Sequence, residues 1–344
     1  MNKQKIIDMS AQPMTTLKLN ELEQTIKANK TLQILYLNNS CIQDHYIDLL
    51  SQALRVNNSL RSIDLSNNRI SEYGMLYLSQ ALIDNKSMTE IYLNNIYMTK
   101  IGASALKNIV ENNKKLVILE LCNSYLGDTG LETLEYVLQN HKSLEKLTLS
   151  NNKIGYIGVK SLSIVLQKNK SLKTLYLSCN NIDDNGVDLL AHSLQHNKSL
   201  QHLDLSNNNL GNFSATTLSQ MLYKNKSLKT LDLYCNNIND IGANEISQAL
   251  KTNQSLDTLV LSHNKIHDDG AKALVESLIV NKNLINLALC HNFITNDGEE
   301  ILAQSLYSNT TLKKLLLNGN IIGKFNVLAF NEECVINKAL QIKF

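Results

Sequence analysis

Tryptophan is absent from this 344-residue chain, and proline occurs once, at Pro13. No shift in composition marks a linker, so no internal domain boundary is expected. No apolar run approaches the length of a membrane span. The opening Met1–Met9 stretch lacks the apolar core of a secretory leader. Neither sign of charge dominates: 33 Lys and Arg face 31 Asp and Glu, for a net +2. Only three arginines occur, Arg55, Arg61 and Arg69. The six cysteines (Cys41, Cys122, Cys179, Cys235, Cys290, Cys334) include no Cys-x-x-Cys pair and read as free thiols of a reducing, cytoplasmic compartment. A glycine-rich phosphate loop and a serine elbow are also missing, which removes the usual nucleotide and hydrolase signatures.

What the chain does have is a period. A leucine-type residue opens a 28-residue unit at Leu32, Leu60, Met88, Leu116, Leu144, Leu172, Leu200, Leu228, Leu256 and Leu284, and an incomplete unit starts at Leu312. A fixed period of this length marks a solenoid of stacked supersecondary units. In Leu144–Ser171 the first stretch alternates apolar and polar, as a half-buried strand does. Gly158, Leu162 and Leu166 then follow at a spacing of four, which suits a helix with one buried stripe. Strands stack about 4.8 Å apart and packed helices about 8–10 Å, so the ladder must bend with its strands inside. Eleven strands predict a concave sheet roughly 50 Å along its arc.

Two polar positions recur. The ninth is Asn68, Asn152, Asn180, Asn208, Asn236, Asn264, Asn292 and Asn320, and a buried Asn requires hydrogen-bond partners, so a ladder is expected. Ser40 and Ser124 can do part of that work; Ile96 cannot, which predicts local irregularity in the third repeat. The fifteenth is mostly glycine, predicting a tight approach or unusual backbone where the helix begins; Tyr46, Ser214 and Asn326 replace it. Sequons such as Asn85-Lys86-Ser87 and Asn225-Lys226-Ser227 repeat with the return turn and read as turn chemistry.

The pattern Leu-x-x-Leu-x-Leu-x-x-Asn-x-Ile followed by Gly, Leu and Leu resembles leucine-rich repeats of the ribonuclease-inhibitor type, from residue 32 to about 330. It departs from ribonuclease inhibitor in having no Cys at the ninth position. The uniform Asn is closer to repeats of nucleotide-sensing receptors and of the GTPase-activating proteins of the nuclear-transport GTPase. The resemblance implies an α/β horseshoe, with a parallel concave sheet, convex helices and protein binding on the concave face. The regular Asn- and Lys-rich repeats also resemble leucine-rich-repeat effectors of intracellular bacteria, which act in the host cytoplasm. Glu332, Glu333 and Ile342 are similar to the tail signals of a type IV secretion machine, although a capping helix gives the same residues.

The expected organisation is one solenoid domain over 1–344, with ten repeats over 32–311 between two caps. In the first cap, 1–31, residues 14–31 read as a shortened repeat: Met14, Leu17 and Leu19, then Leu22 and Ile26, with ten residues missing between strand and helix. Ile6, Ile7 and Met9 read as an amphipathic turn over the open end. In the second, 312–344, residues Asn331–Phe344 close the stack with Val335, Leu340 and Ile342.

The strand positions that point away from the helices carry the candidate site. The fifth position reads Tyr36, Asp64, Tyr92, Glu120, Thr148, Tyr176, Asp204, Asp232, Val260, Ala288 and Leu316, with no Lys or Arg. Beside it, the seventh and eighth positions are mostly Ser and Asn, then Tyr234, Cys235, His263, Cys290 and His291. An acid-and-tyrosine stripe suits a protein partner with a basic or extended surface, and Val260, Leu316 and Ile285 suit an apolar knob. Nucleic acid does not fit an acidic stripe. The expected function is a monomeric, non-catalytic protein-binding scaffold without a cofactor. Two other readings stay open: a GTPase regulator using Arg61 or Arg69, and a metal or thiol site at Cys235, His263 and His291.

Overall fold

The computed structural model describes residues 4–298, 302, 306, 309–322 and 340–343. The chain divides into two compact units, Met1–Tyr176 and Leu177–Phe344, each an α/β solenoid in which a short strand alternates with a helix. In the first unit the strands are β1 (Ile6–Asp8), β2 (Ile34–Tyr36), β3 (Ser62–Asp64), β4 (Glu90–Tyr92), β5 (Ile118–Glu120), β6 (Lys146–Thr148) and β7 (Thr174–Tyr176). They pair in chain order, all parallel, each residue opposite the one 28 positions on, as Ile34 faces Ser62. Between them lie α1 (Thr16–Ala28), α2 (Asp44–Val56), α3 (Glu72–Asp84), α4 (Lys100–Asn112), α5 (Gly127–Asn140) and α6 (Tyr156–Lys168).

The second unit holds α7 (Asp184–Leu194), β8 (His202–Asp204), α8 (Asn212–Lys224), β9 (Thr230–Asp232), α9 (Asp240–Leu250), β10 (Thr258–Val260), α10 (Asp268–Val280), β11 (Asn286–Ala288), β12 (Lys314–Leu316) and β13 (Gln341–Lys343). Its strands are again parallel and in chain order. In both units consecutive helices pack against each other.

One repeat explains the rest. Over residues 60–87, Leu60, Ile63 and Leu65 bury from the strand, Ile70 from the turn, and Met75, Leu78, Ala81 and Leu82 from one face of α3. The two periodicities meet in one core. Helix α3 starts at Ser71, whose hydroxyl accepts from the Tyr73 N–H at 3.2 Å.

The N-terminal expectation is corrected. Ile6, Ile7 and Met9 do not form a turn over the end. They form β1 and its exit, with Ile7 opposite Leu35, and α1 begins at Thr16. Met14 is therefore the counterpart of Ile42, Leu19 of Ile47 and Asn29 of Asn57. No residues are missing; the period simply starts 28 residues earlier, with weaker side chains at its leucine positions. At the other end Ile342 lies in β13 opposite Leu315, one residue short of the 28-residue step. Asn326, Glu332, Glu333 and Val335 lie outside the described residues.

Three amide or carboxylate ladders hold the layers in register. At the ninth position, Asn208 Oδ1 accepts from the N–H groups of Asn180 (3.1 Å) and Ile182 (3.3 Å), and its amide donates to the carbonyls of Leu177 and Leu205. Ser40 and Ser124 replace part of this by donating to the carbonyls of Met9 and Leu93. Ile96 is buried and supplies neither donor nor acceptor, so the ladder is interrupted there.

The second ladder runs through the sequons. Asn85 donates to the carbonyls of Leu54 and Asn57 and accepts from the Ser87 and Met88 N–H groups. Asn85 and Asn225 are both buried, which supports the turn-chemistry reading. The third ladder was not legible beforehand. Asp44, the first residue of α2, accepts from the N–H and hydroxyl of Ser71. Asp240 likewise accepts from the N–H groups of His267 and Gly270. This also settles the glycines of the fifteenth position. None of those described has a positive φ; a Cβ on Gly270 would sit 2.5 Å from Asp240 Oδ1. Tight approach, not unusual backbone, is the reason at Gly74, Gly158, Gly242, Gly270 and Gly298, whereas a Cβ on Gly102 would meet only Met98, at 3.6 Å.

Candidate functional site

Within a strand, side chains at the third and fifth positions emerge on the same face. In the first unit that face carries Tyr36, Asp64, Tyr92, Glu120 and Tyr176, all half-buried, with Thr148 buried among them. Glu90 shares this face, and two further third-position neighbours, Lys146 here and His202 in the second unit, were not singled out by sequence reasoning. The 28-residue index reaches them, but the third position carries no repeated residue type that would mark it.

Lys146 changes the electrostatics. Its Nζ lies 2.7 Å from Glu120 Oε1 and 5.6 Å from the centre of the Tyr176 ring. Glu120 Oε2 also accepts from the Asn94 amide at 3.1 Å. Tyr92 donates its hydroxyl to Glu90 Oε2 at 3.2 Å. Burial first, and then the Glu90 charge, raise the Tyr92 phenol well above its ordinary value. Burial, and then Glu120, push the Cys122 thiol up as well, so Cys122 is no activated nucleophile. The expected acidic stripe is thus internally neutralised at Glu120.

The second unit differs. Asp204 and Asp232 lie directly opposite each other on β8 and β9. Each spends Oδ1 on a nearby backbone N–H at 2.9 Å, Ser206 for Asp204 and Tyr234 for Asp232. Neither carboxylate has an ion-pair partner among the described residues. Burial first, and then the Asp204 charge, push Asp232 up to about 6, against a hydrogen bond that lowers it. Further along come the half-buried Val260, Ala288 and Leu316, with Ile285 half-buried beside them.

The eighth position has left-handed backbone in both units, from Asn39 (φ 56°) to His291 (φ 51°). Asn tolerates that region best among residues with a side chain, which accounts for the early asparagines. In the first unit they form a rim ladder: Asn95 donates to Asn67 and Asn151 to Asn123. In the second unit Cys235, His263 and His291 take those places. Tyr234 packs on His263 at 4.9 Å between ring centres, and His263 stacks on His291 at 4.1 Å. Stacked imidazoles present faces, not converging lone pairs. Among the described residues no group of three or more His, Cys, Asp or Glu is placed to hold a metal. Of the arginines, Arg55 pairs with Asp84 at 3.3 Å, while Arg61 and Arg69 are exposed.

A family described as Leucine Rich repeat matches residues 56–79, 140–163, 168–191, 196–218, 224–247 and 252–275. Those segments coincide with the helix, return turn and strand register seen here. These segments are leucine-rich repeats. No curated protein matches the leucine-rich-repeat chain significantly. Its fold is similar to that of an internalin from Listeria monocytogenes, at 20% identity and a TM-score of 0.57, covering 98% of this chain and 86% of that one. A yeast Rad7 and Elc1 complex gives a TM-score of 0.47 at 14% identity, covering 96% and 88% of the two chains. Among the described residues no helix is long and apolar enough to cross a membrane.

Proposed function

We propose that this leucine-rich-repeat protein is a non-catalytic scaffold that grips a protein partner along the strand faces of its repeats. The observation that carries the reading is the Asp204 and Asp232 pair. Two opposed carboxylates, short of solvent and without a cation of their own, are stabilised when a partner supplies lysine or arginine. Tyr36, Tyr92, Tyr176 and Tyr234 are the anchors, each offering area with few rotors and a polar tip. Asp64 and Glu120 add acceptors, Val260 and Leu316 an apolar seat, and His263 and His291 an aromatic rim. The partner is basic or extended and is not a nucleic acid, whose phosphates these acids repel. The scaffold acts as a monomer without a cofactor. The effector resemblance extends the reading to a host protein met in the host cytoplasm.

The test is affinity capture from a cell lysate with the wild-type chain and a Tyr92→Ala/Tyr176→Ala/Asp204→Ala variant, with captured proteins identified by mass spectrometry. A partner retained by wild type and lost by the variant is the expected result. Identical partner sets for the two baits overturn the assignment to the strand face.

A further inference from the structure

A second surface lies away from the strand face, where return turns lead into the strands of the first unit. A recess of about 640 Å³ opens there, and its walls hold four cations, Lys5, Lys30, Arg61 and Lys115, and no carboxylate. We propose that this recess binds a phosphate-bearing ligand, either a soluble polyphosphate or a phosphorylated lipid headgroup.

Lysines without a carboxylate also line two other return-turn recesses; this one differs in holding four cations, one of them an arginine. Lys30 donates to the Lys27 carbonyl at 3.2 Å, the ordinary work of a lysine beside a helix C-terminus. Lys5, Arg61 and Lys115 have no such partner and no ion pair among the described residues. Arg55 shows what happens where an acid is near: it pairs with Asp84.

The neutral groups of the recess point the same way. The hydroxyls of Thr31, Ser59, Ser87 and Thr89 already donate to Asn29, Asn57, Leu60 and Arg61. A sugar or other neutral polar ligand would find those donors occupied. The donors left are cationic, with the amides of Gln33 and Asn58 between them. Lys5 and Arg61 occupy equivalent positions two strands apart, and Lys115 continues the column of Thr31, Ser59 and Ser87. Two strand steps, about 10 Å, separate the layers of Lys5 and Arg61, and charges spread over that distance suit an anion with several phosphates better than a single charge. Arg61 adds the planar, two-pronged donor set that phosphate oxygens match. The volume falls in the range of small-ligand sites.

Titration calorimetry of the whole protein at physiological salt tests this with two probes. The first is tripolyphosphate; the second is vesicles of phosphatidylcholine containing phosphatidylinositol bisphosphate. Saturable binding of at least one probe is expected. It should weaken about 10-fold or more in Arg61→Gln/Lys115→Gln and stay unchanged in Lys198→Gln/Lys226→Gln, a lysine pair from a different turn recess. Binding of tripolyphosphate assigns a soluble ligand; binding of vesicles alone assigns a headgroup. Arg61 and Lys115 are exposed, and a thermal melt checks that the variant remains folded. If it melts early, Lys5→Gln carries the same expectation. Failure of both probes to bind, or equal weakening by the two lysine-containing pairs, overturns the proposal.

Discussion

Glu120 in the first unit and Asp204 in the second occupy the same position of the repeat, yet their surroundings are opposite. Twenty-six residues after Glu120 stands Lys146, which pairs with it at 2.7 Å. Twenty-six residues after Asp204 stands Thr230, which brings no charge. The first face has closed its own ion pair. The second leaves two carboxylates opposed, and burial first, with the Asp204 charge adding to it, pushes Asp232 up to about 6. One side chain two places along the strand therefore decides whether a repeat surface is electrostatically complete or needs a partner.

The comparison assumes that both faces stand on equivalent scaffolds. Asn152→Ala and Asn208→Ala test that assumption, with the largest expected effect. Each amide serves buried backbone groups: Asn152 accepts from Ser124 and Leu126 N–H and donates to the Leu121 carbonyl, as Asn208 does in its own layer. Stranding such groups costs about 2–4 kcal/mol in either unit. Chemical denaturation should give equal losses, and a difference much above 1 kcal/mol would break the equivalence.

Asp232→Asn comes next. The folded pKa of Asp232 is raised above its ordinary 3.8 to about 6. Its contribution to stability is therefore complete below about 3.8 and is lost as pH rises through about 6. At pH 7.5 the substitution should stabilise the protein by about 1–2 kcal/mol, after discounting for partial exposure, and by almost nothing at pH 4. Urea melts at the two pH values check it; equal effects at both would remove the role of ionisation. Thr230→Lys should have a smaller effect, about 1 kcal/mol or less. It should bring the Asp232 titration back down, as followed by carboxyl NMR shifts, and weaken capture of the basic partner. An unmoved Asp232 titration would show that Lys146 is not what distinguishes the first face.

The sequence made the period, the buried leucines and the asparagine ladder legible because each is a repeated choice at a fixed index. The first repeat escaped because Ile7, Met9 and Met14 stand where other units have leucine or isoleucine, so β1 looked like a cap. For the glycines, sequence alone leaves tight approach and unusual backbone both open. Their neighbour, the carboxylate of Asp240 or Asp44, belongs to the preceding layer and has no signature of its own. At the candidate face, the identities of the fifth-position residues were readable. The Glu120–Lys146 pair was not, because it joins two strands along a diagonal that a column-by-column reading does not follow.

The smallest expected effect also separates the two units, at their return turns. The second unit has Asn197, Asn225, Asn253, Asn281 and Asn309 at this position, whereas the first has one exception, His141. The His141 ring imitates the amide. Nδ1 accepts from the Ser143 and Leu144 N–H groups, so Nε2 must carry the proton it gives to the Asn113 carbonyl at 3.1 Å. A second proton has no place in that arrangement. Burial first lowers the pKa below 6.5, and the Lys114 charge adds to it against the Asn113 hydrogen bond. A folded pKa below the unfolded one means that stability is fully present above pH 6.5 and is lost as pH falls below it. His141→Asn should leave stability at pH 7.5 nearly unchanged and raise it at pH 5, flattening the acid limb of the melting curve. Asn253→His, the reciprocal change in the second unit, should create the same acid sensitivity there. An acid limb that ignores both substitutions would place the pH response elsewhere than in this turn.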